Sequence, residues 1–394
     1  MITIKDKTDC SGCSACYAVC PKHCITMCPD KEGFLYPTVD TNLCIDCGAC
    51  DKVCPLMKPL VINNGNTSAF AVQNKDESIR MQSASGGAFS AFATVVLNKG
   101  GIVFGGCFDK DFNVCHDSVS TINDLKKLRC SKYVQSDMGN TFSKIKSLLK
   151  EGRLILFSGT PCQVEGLNSY LKRKYDNLIT LDLVCRGTPS PGLWKKYLAW
   201  HSAKEKSPIT YVSFRNKHFG YAGSTMAIGF KNGKIKYQSR AIQFFKYTFF
   251  QDLNSRPSCF RCHFKTIKRN ADITLYDCWH VNAFSKDMDD DRGTTMVLLH
   301  TEKGENLFNE TKPFIRFNKA DVEKAIKLDG IMATQCTVPN PQREQFFKDA
   351  QDIPFEQLIK KYFPLSIKKQ CIQWLKPVIY KLGILNHLKR FISK

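Results

Sequence analysis

One cysteine pattern occurs twice in the first 54 residues. Cys10-Ser11-Gly12-Cys13-Ser14-Ala15-Cys16, three residues and then Cys20-Pro21 recurs as Cys44-Ile45-Asp46-Cys47-Gly48-Ala49-Cys50, three residues and then Cys54-Pro55, an offset of 34 residues. Ten of the chain's 20 cysteines fall here. The stretch is turn-rich and has no helical or strand pattern long enough to form a core alone. C-x2-C-x2-C-x3-C-P is the bacterial run for a 4Fe–4S cluster. Three thiolates two residues apart wrap one cubane, while the fourth, turned by the proline, points elsewhere. In two-cluster ferredoxins that fourth cysteine ligates the other cluster. The spacing assigns Cys10, Cys13, Cys16 and Cys54 to one 4Fe–4S cluster, and Cys44, Cys47, Cys50 and Cys20 to a second. Zinc also uses C-x2-C pairs, but it does not call for three such cysteines followed by x3-Cys-Pro, twice over. Cys24 and Cys28, between the repeats, read as filler or surface cysteines.

A chain of 394 residues with 27 Phe, 13 Tyr and 4 Trp has the apolar surface for two or three real domains, which excludes disorder. Met1 to Asp9 is polar and lacks the apolar segment of a secretory signal. No stretch approaches the roughly 18–20 apolar residues of a membrane span. The expectation is a cytoplasmic protein whose cysteines serve metal, redox work or packing rather than disulfides. The formal charge of +21 admits nucleic acid, an anionic membrane surface or acidic partners. The basic residues are spread, without interleaved aromatics or a recognised binding motif, so nucleic acid is set aside.

Residues 1–57 read as the two-cluster domain and 58–68 as a linker. Strand–loop–helix units follow. Strands are expected at Ala69–Gln73, Gly101–Cys107, Leu154–Phe157 and Leu178–Val184, and helices at Ala88–Asn98, 141–151, 163–174 and Leu193–His201. Further strands are expected at Thr210–Phe214, Thr225–Phe230, Lys234–Gln238, 272–276 and 294–300, with a hairpin turn at Asn232-Gly233 and a helix at Ile242–Leu253. This pattern argues for an α/β fold (α+β overall), with residues 69–151 and 152–335 as successive parts of one mixed α/β region and 336–394 as a basic helical tail.

No G-x-G-x-x-G follows a strand and no G-x-x-x-x-G-K-[ST] occurs, so neither a standard nicotinamide site nor a P-loop is supported. Three small-residue loops do precede helices: Ser85-Gly86-Gly87, Ser158-Gly159-Thr160-Pro161 and Gly187-Thr188-Pro189-Ser190. Each offers a helix N-terminus suited to phosphate, and each also suits an ordinary helix cap.

These loops belong to a longer series. Ser85-Gly86-Gly87, the segment from Phe157 through Cys162-Gln163 to Gly166-Leu167, and Asp182 to Gly187 are followed by Phe214-Arg215-Asn216-Lys217, Cys259-Phe260-Arg261-Cys262 and Ala271 to Trp279. The series resembles the beta-subunit family of coenzyme F-420 (deazaflavin) hydrogenases and dehydrogenases, over nearly the whole chain to about residue 310. The resemblance implies a flavoprotein that holds FAD beside an iron–sulfur cluster and exchanges electrons with an organic two-electron substrate. It implies flavin contacts at Ser85, Gly86, Gly87, Thr160, Gln163, Arg215 and Lys217, and a third 4Fe–4S cluster on Cys162, Cys185, Cys259 and Cys262. The residues alone leave open core cysteines plus a zinc or empty Cys pair. Two loops depart from the family: Arg186 stands where His is common, and Tyr276-Asp277-Cys278-Trp279-His280 replaces Gly-Asp-Phe-Trp-Gly. Both lie where a flavin is expected, which makes Arg186 and His280 the candidates for a catalytic role, against a hydrogen-bonded structural His280.

The expected partners are an electron donor or acceptor protein or a reduced coenzyme, and a small-molecule substrate. A non-catalytic electron-transfer subunit of a larger redox complex is the alternative. Apolar residues from Ile372 to Ile392 recur at three- and four-residue steps with lysines between. This reads as a basic amphipathic helix that either packs on the chain's own core or, through residues 366–394, meets an acidic partner or the inner face of a membrane. Each oxidised 4Fe–4S centre with four thiolates carries about −2, so bound clusters offset part of the positive charge.

Overall fold

The computed structural model describes residues 1–59, 65–237 and 239–364. Its chain falls into two compact units, one of residues 1–194 and 255–339, the other of residues 195–254 with the described residues from 340 onward. The strands, in chain order, are β1 (Ile25–Pro29), β2 (Leu35–Val39), β3 (Ser68–Asn74), β4 (Ile102–Phe108), β5 (Val114–Val119), β6 (Ile155–Ser158) and β7 (Leu178–Leu183). They continue as β8 (Ile209–Asn216), β9 (Thr225–Phe230), β10 (Ile235–Tyr237), β11 (Ile273–Asp277), β12 (Thr295–Leu299) and β13 (Ile315–Ala320).

The first unit is built on an eight-stranded mixed sheet of order β13-β3-β12-β11-β7-β6-β4-β5. Its centre, β4, β6, β7 and β11, is parallel, and its flanks are antiparallel. Strands buried on both faces read as continuous apolar runs, and five of the six residues of β7 are buried. One face packs Leu156, Leu181, Ile273 and Val297 against Phe92 and Val96 of the helix Ala88–Asn98. The other places Phe104 and Phe157 against Phe142, Val164 and Leu167, and this cluster also takes in Cys13, Ala15 and Val53. The cysteine-rich segment is therefore part of the same core, which is how so small a segment obtains one.

Two glycines fix a second contact of that segment. At Gly33, in the β1–β2 turn with φ +85°, an added Cβ would lie 2.4 Å from the Gly192 Cα, so backbone meets backbone there. Ser190 Oγ donates to the Glu32 carbonyl beside it.

The edge strands β5 and β13 are not among the strands expected from the sequence, and both carry outward polar residues. The helix expected from 163 begins at Pro161, whose missing N–H suits the first helical position. In the second unit β10, β9 and β8 form an antiparallel sheet with Gly233 at φ +83° in the β9–β10 turn. Tyr197, Phe244, Phe245, Phe346 and Phe355 pack together there as its aromatic core. The expected tail is helical at Arg343–Asp352 and Phe355–Tyr362, and the amphipathic pattern from Ile372 onward lies outside the described residues. Among the described residues no helix is long and apolar enough to cross a membrane.

Two histidines, His116 half-buried and His300 buried, tie the fold to pH. His116 on β5 bonds Ser136 Oγ at 2.8 Å and the Ser158 carbonyl at 3.1 Å. His300 bonds Thr67 Oγ1 at 3.1 Å and Thr274 Oγ1 at 2.9 Å. Burial pushes each down to about 4. The neutral ring is thus the native form, so stability is full above the unfolded pKa of about 6.5 and is lost as pH falls from there towards 4. The loss is on the order of 3 kcal/mol for each histidine. His300→Asn keeps an uncharged hydrogen-bonding group and should flatten the fall in urea midpoint across this window; an unchanged slope would count against the assignment.

Candidate metal and cofactor sites

The sequence repeat is also a repeat of backbone geometry. The short helices Ala15–Val19 and Ala49–Val53 begin after Ser14 at φ 64° and Gly48 at φ 67°, and end at Cys20 and Cys54, both at φ −67°. The left-handed residue turns the chain between the second and third cysteines of each run, which is what x2 spacing needs to wrap a common centre. Cys13 and Cys16 each lie in electrostatic reach of Cys10 and Cys54. Cys20, Cys44, Cys47 and Cys50 line a separate pocket. The fourth cysteine of each run thus faces the first three of the other. Burial pushes the Cys13 thiol up to about 12 and also raises Cys16 and Cys54. Cys24 lines the second pocket too, its Sγ 3.4 Å from that of Cys20.

Cys162 stands in the first turn of the helix after β6 and Cys185 in the loop after β7, at the carboxyl ends of adjacent parallel strands, the usual place for ligands in such sheets. With Cys259 and Cys262 they line one pocket. Burial raises all four thiols: Cys162 well above its ordinary value, Cys185 also, Cys259 to about 12 and Cys262 to about 11. The same pocket is lined by Arg186, Arg261, Lys265 and Arg269 and by no carboxylate. Thiols this costly to ionise alone, inside a cationic wall, suit an anionic metal cluster. Among the described residues no three Cys, His, Asp or Glu side chains close around a single-ion position.

The helix Pro161–Leu171 connects the cysteine sets. Cys162 stands at its start, and one turn on Gly166 leaves so little room that an added Cβ would lie 2.9 Å from the Cys13 Cβ and 3.1 Å from its Sγ. No larger residue fits at 166 without moving the first cysteine run.

The flavin candidates of the first unit are engaged within the protein. Ser85 Oγ donates to the Thr294 carbonyl at 2.6 Å, and the Gly86 N–H donates to Thr295 Oγ1 at 2.9 Å. Gly87 caps the helix Ala88–Asn98 at φ +84°. Thr160 and Gln163 form a reciprocal capping box, and Gln163 Nε2 donates to Ser136 Oγ at 2.8 Å. The Ser85 and Gly86 bonds tie their loop to β12, and the Thr160–Gln163 bonds cap a helix. Arg215 and Lys217 belong to the second unit, where both are buried and flank the Tyr221 ring at 5.6 and 5.7 Å.

Arg186 lines the four-cysteine pocket; His280 does not. His280 has the acid partner that the sequence could not supply: Nδ1 lies 2.8 Å from Asp329 Oδ1, and its N–H donates to Asp329 Oδ2 at 3.0 Å. The pair joins residues 49 apart, the ring exposed and the carboxylate buried.

Similarity to known proteins covers both regions. Residues 9–57 match the 4Fe-4S dicluster domain. Residues 152–324 match the family described as the C terminus of the coenzyme F420 hydrogenase/dehydrogenase beta subunit. Over those residues the chain is similar to that family. A 7Fe ferredoxin of Hydrogenibacillus schlegelii is 44% identical over 43 residues, 11% of this chain and 49% of that one. The chain thus spans about half the length of the curated relative it matches. A chain of the F420-reducing [NiFe] hydrogenase complex from Methanosarcina barkeri, studied by xenon derivatization, has a TM-score of 0.44 and 15% identity, covering 79% of this chain and 98% of that one. The first match supports iron–sulfur clusters on residues 9–57, and the second likens residues 152–324 to an oxidoreductase-related subunit.

Around the four-cysteine pocket several contacts are made that the sequence motifs do not specify. Lys265 Nζ donates to the Cys185 carbonyl at 2.6 Å and fixes that loop. Arg269 pairs with Asp182 at 2.9 Å, both side chains buried. Cys336, 74 residues from Cys262, accepts its N–H at 3.3 Å. None follows a motif, because each is set by the tertiary path.

Proposed function

We propose that the chain is an iron–sulfur flavoprotein oxidoreductase. In this reading Cys10, Cys13, Cys16 and Cys54, then Cys20, Cys44, Cys47 and Cys50, and then Cys162, Cys185, Cys259 and Cys262 hold three 4Fe–4S clusters. Electrons pass between them and FAD, and onward to or from an organic two-electron substrate such as the deazaflavin coenzyme or another unsaturated or hydroxylated compound. The observation that carries it is the four-thiol pocket with its cationic wall, placed at one end of the helix that presses on Cys13. Iron–sulfur clusters supply one-electron transfer, and a flavin joins it to two-electron chemistry. The residues hold, orient and exclude water. Lys265 and the Arg269–Asp182 pair fix the Cys185 loop and pocket wall, while Arg215 and Lys217 offer buried positive charge to an anionic cofactor or substrate.

Cys47 is exposed, with Leu43 and Ile45 exposed at 56% and 59% beside it. This end is where a donor or acceptor protein would approach. Contact with an acidic partner or a membrane through residues 366–394 belongs to the same proposal.

The internal engagement of Gly86 and Gln163 favours a second reading, a non-catalytic electron-transfer subunit. Anaerobic purification separates the two. The first reading expects flavin absorbance and about 8–12 iron atoms per chain, the range of two or three 4Fe–4S clusters. Iron without flavin selects the second, and about four iron atoms or fewer would overturn both.

A further inference from the structure

Arg256 is 0% exposed, and no sequence motif singles it out. Its backbone is bonded to two residues of the four-cysteine pocket: its N–H donates to the Thr188 carbonyl at 2.9 Å, and its carbonyl accepts from the Cys259 N–H at 3.0 Å. Its side chain belongs to the first cysteine run. Nε donates to the Cys10 carbonyl at 2.7 Å, and Nη1 donates to the Leu35 carbonyl at 3.0 Å and to Gln135 Oε1 at 3.1 Å. The guanidinium lies 4.0 Å from the centre of the Tyr36 ring. A methyl group on Gly12 would come within 3.0 Å of Nη1, so the Cys10–Cys13 loop lies directly against the cation.

The charge balance is unusual. Among the described residues no carboxylate pairs with Arg256, and its Nη2 has no hydrogen-bond partner. Nor has the neighbouring Gln135 Nε2. A buried, unpaired cation is strongly destabilising unless an anion lies near. The guanidinium is bonded to the backbone of the Cys10–Cys13 loop and is also in electrostatic reach of the Cys259 thiol. Under the function proposed above, the thiolates of Cys10, Cys13, Cys16 and Cys54 with their iron supply the anion beside that loop.

We infer that Arg256 is a positioning residue which supplies the countercharge to the Cys10/Cys13/Cys16/Cys54 centre and ties it, through one continuous run of bonds, to the Cys259 loop. The inference rests on the cluster assignment above. Because reduction adds one electron and no proton to an already anionic centre, the cation favours the reduced form and raises its potential. Arg256→Gln should lower the reduction equilibrium constant of that centre at least tenfold, which is about 59 mV for one electron.

The experiment is a redox titration of anaerobically purified full-length protein, followed by EPR. Gln135→Glu is the second variant: the new carboxylate takes the position of Oε1, pairs with Arg256 and cancels its charge, so it should shift the same centre in the same direction. Arg256→Lys should restore most of the shift seen in Arg256→Gln. Loss of cluster signals from the unaltered protein would remove the underlying assignment instead. Full iron content with an unchanged potential in either neutralising variant overturns the role of Arg256.

Discussion

Replacing Cys259 and Cys262 together by alanine is expected to remove about four iron atoms per chain from anaerobically purified protein, leaving about eight. The two thiols sit on and just after the turn Pro257–Arg261, in the pocket that also takes Cys162 and Cys185. Two thiolates do not hold a cubane that needs four. Without the cluster Arg186, Arg261 and Lys265 would line a site with no anion, Arg269 being paired with Asp182. Cys336 stands close enough to accept the Cys262 N–H but is not among the pocket residues, so Cys336→Ala should keep its iron. Iron assay with visible absorbance reads both variants. Iron unchanged in the double variant would show that the four thiols hold no cluster.

The second large effect is on stability. Arg269→Met leaves Asp182 buried and unpaired, for a loss of about 3–5 kcal/mol. The pair lies at 2.9 Å with side chains only 4% and 2% exposed, and Asp182 Oδ1 accepts from Thr274 Oγ1 at 2.6 Å. Burial holds the Asp182 carboxyl above its usual range even with the guanidinium opposing it. Removing that guanidinium raises it further, so the variant should lose least at acid pH, where the carboxyl protonates. Adding Asp182→Asn should recover part of the loss, since the uncompensated charge goes with it. Guanidinium denaturation measures all three proteins. A single-variant loss below about 1 kcal/mol would place the pair with exposed ion pairs in strength.

Central features are legible where a single periodicity governs a segment. Thr225–Phe230 and the helix Ala88–Asn98 match their expected bounds because every residue of the strand is buried, and one broad stripe of the helix is apolar. β5 and β13 escape because an edge strand has one wet side, and sequences such as Val-Cys-His-Asp-Ser-Val look like loop. The cysteine runs are legible because their ligands are close in sequence. Arg256 is not, since its contact with Cys10 spans 246 residues and no local pattern requires it. Gly166 is the intermediate case: the motif includes it, but its reason, the approach of Cys13, exists only in three dimensions.

The two ends of the cysteine-rich segment also differ in when they can be filled. Cys47 is the one exposed cysteine among the described residues, whereas Cys13 is sealed against Gly166. If both sets hold iron as proposed, delivery to the inner set would precede or accompany the closing of the segment onto the helix Pro161–Leu171, while the outer set would stay open to repair in the finished protein. Under the proposed assignment, maturation would have an order, inner centre first, and damage in service the reverse one.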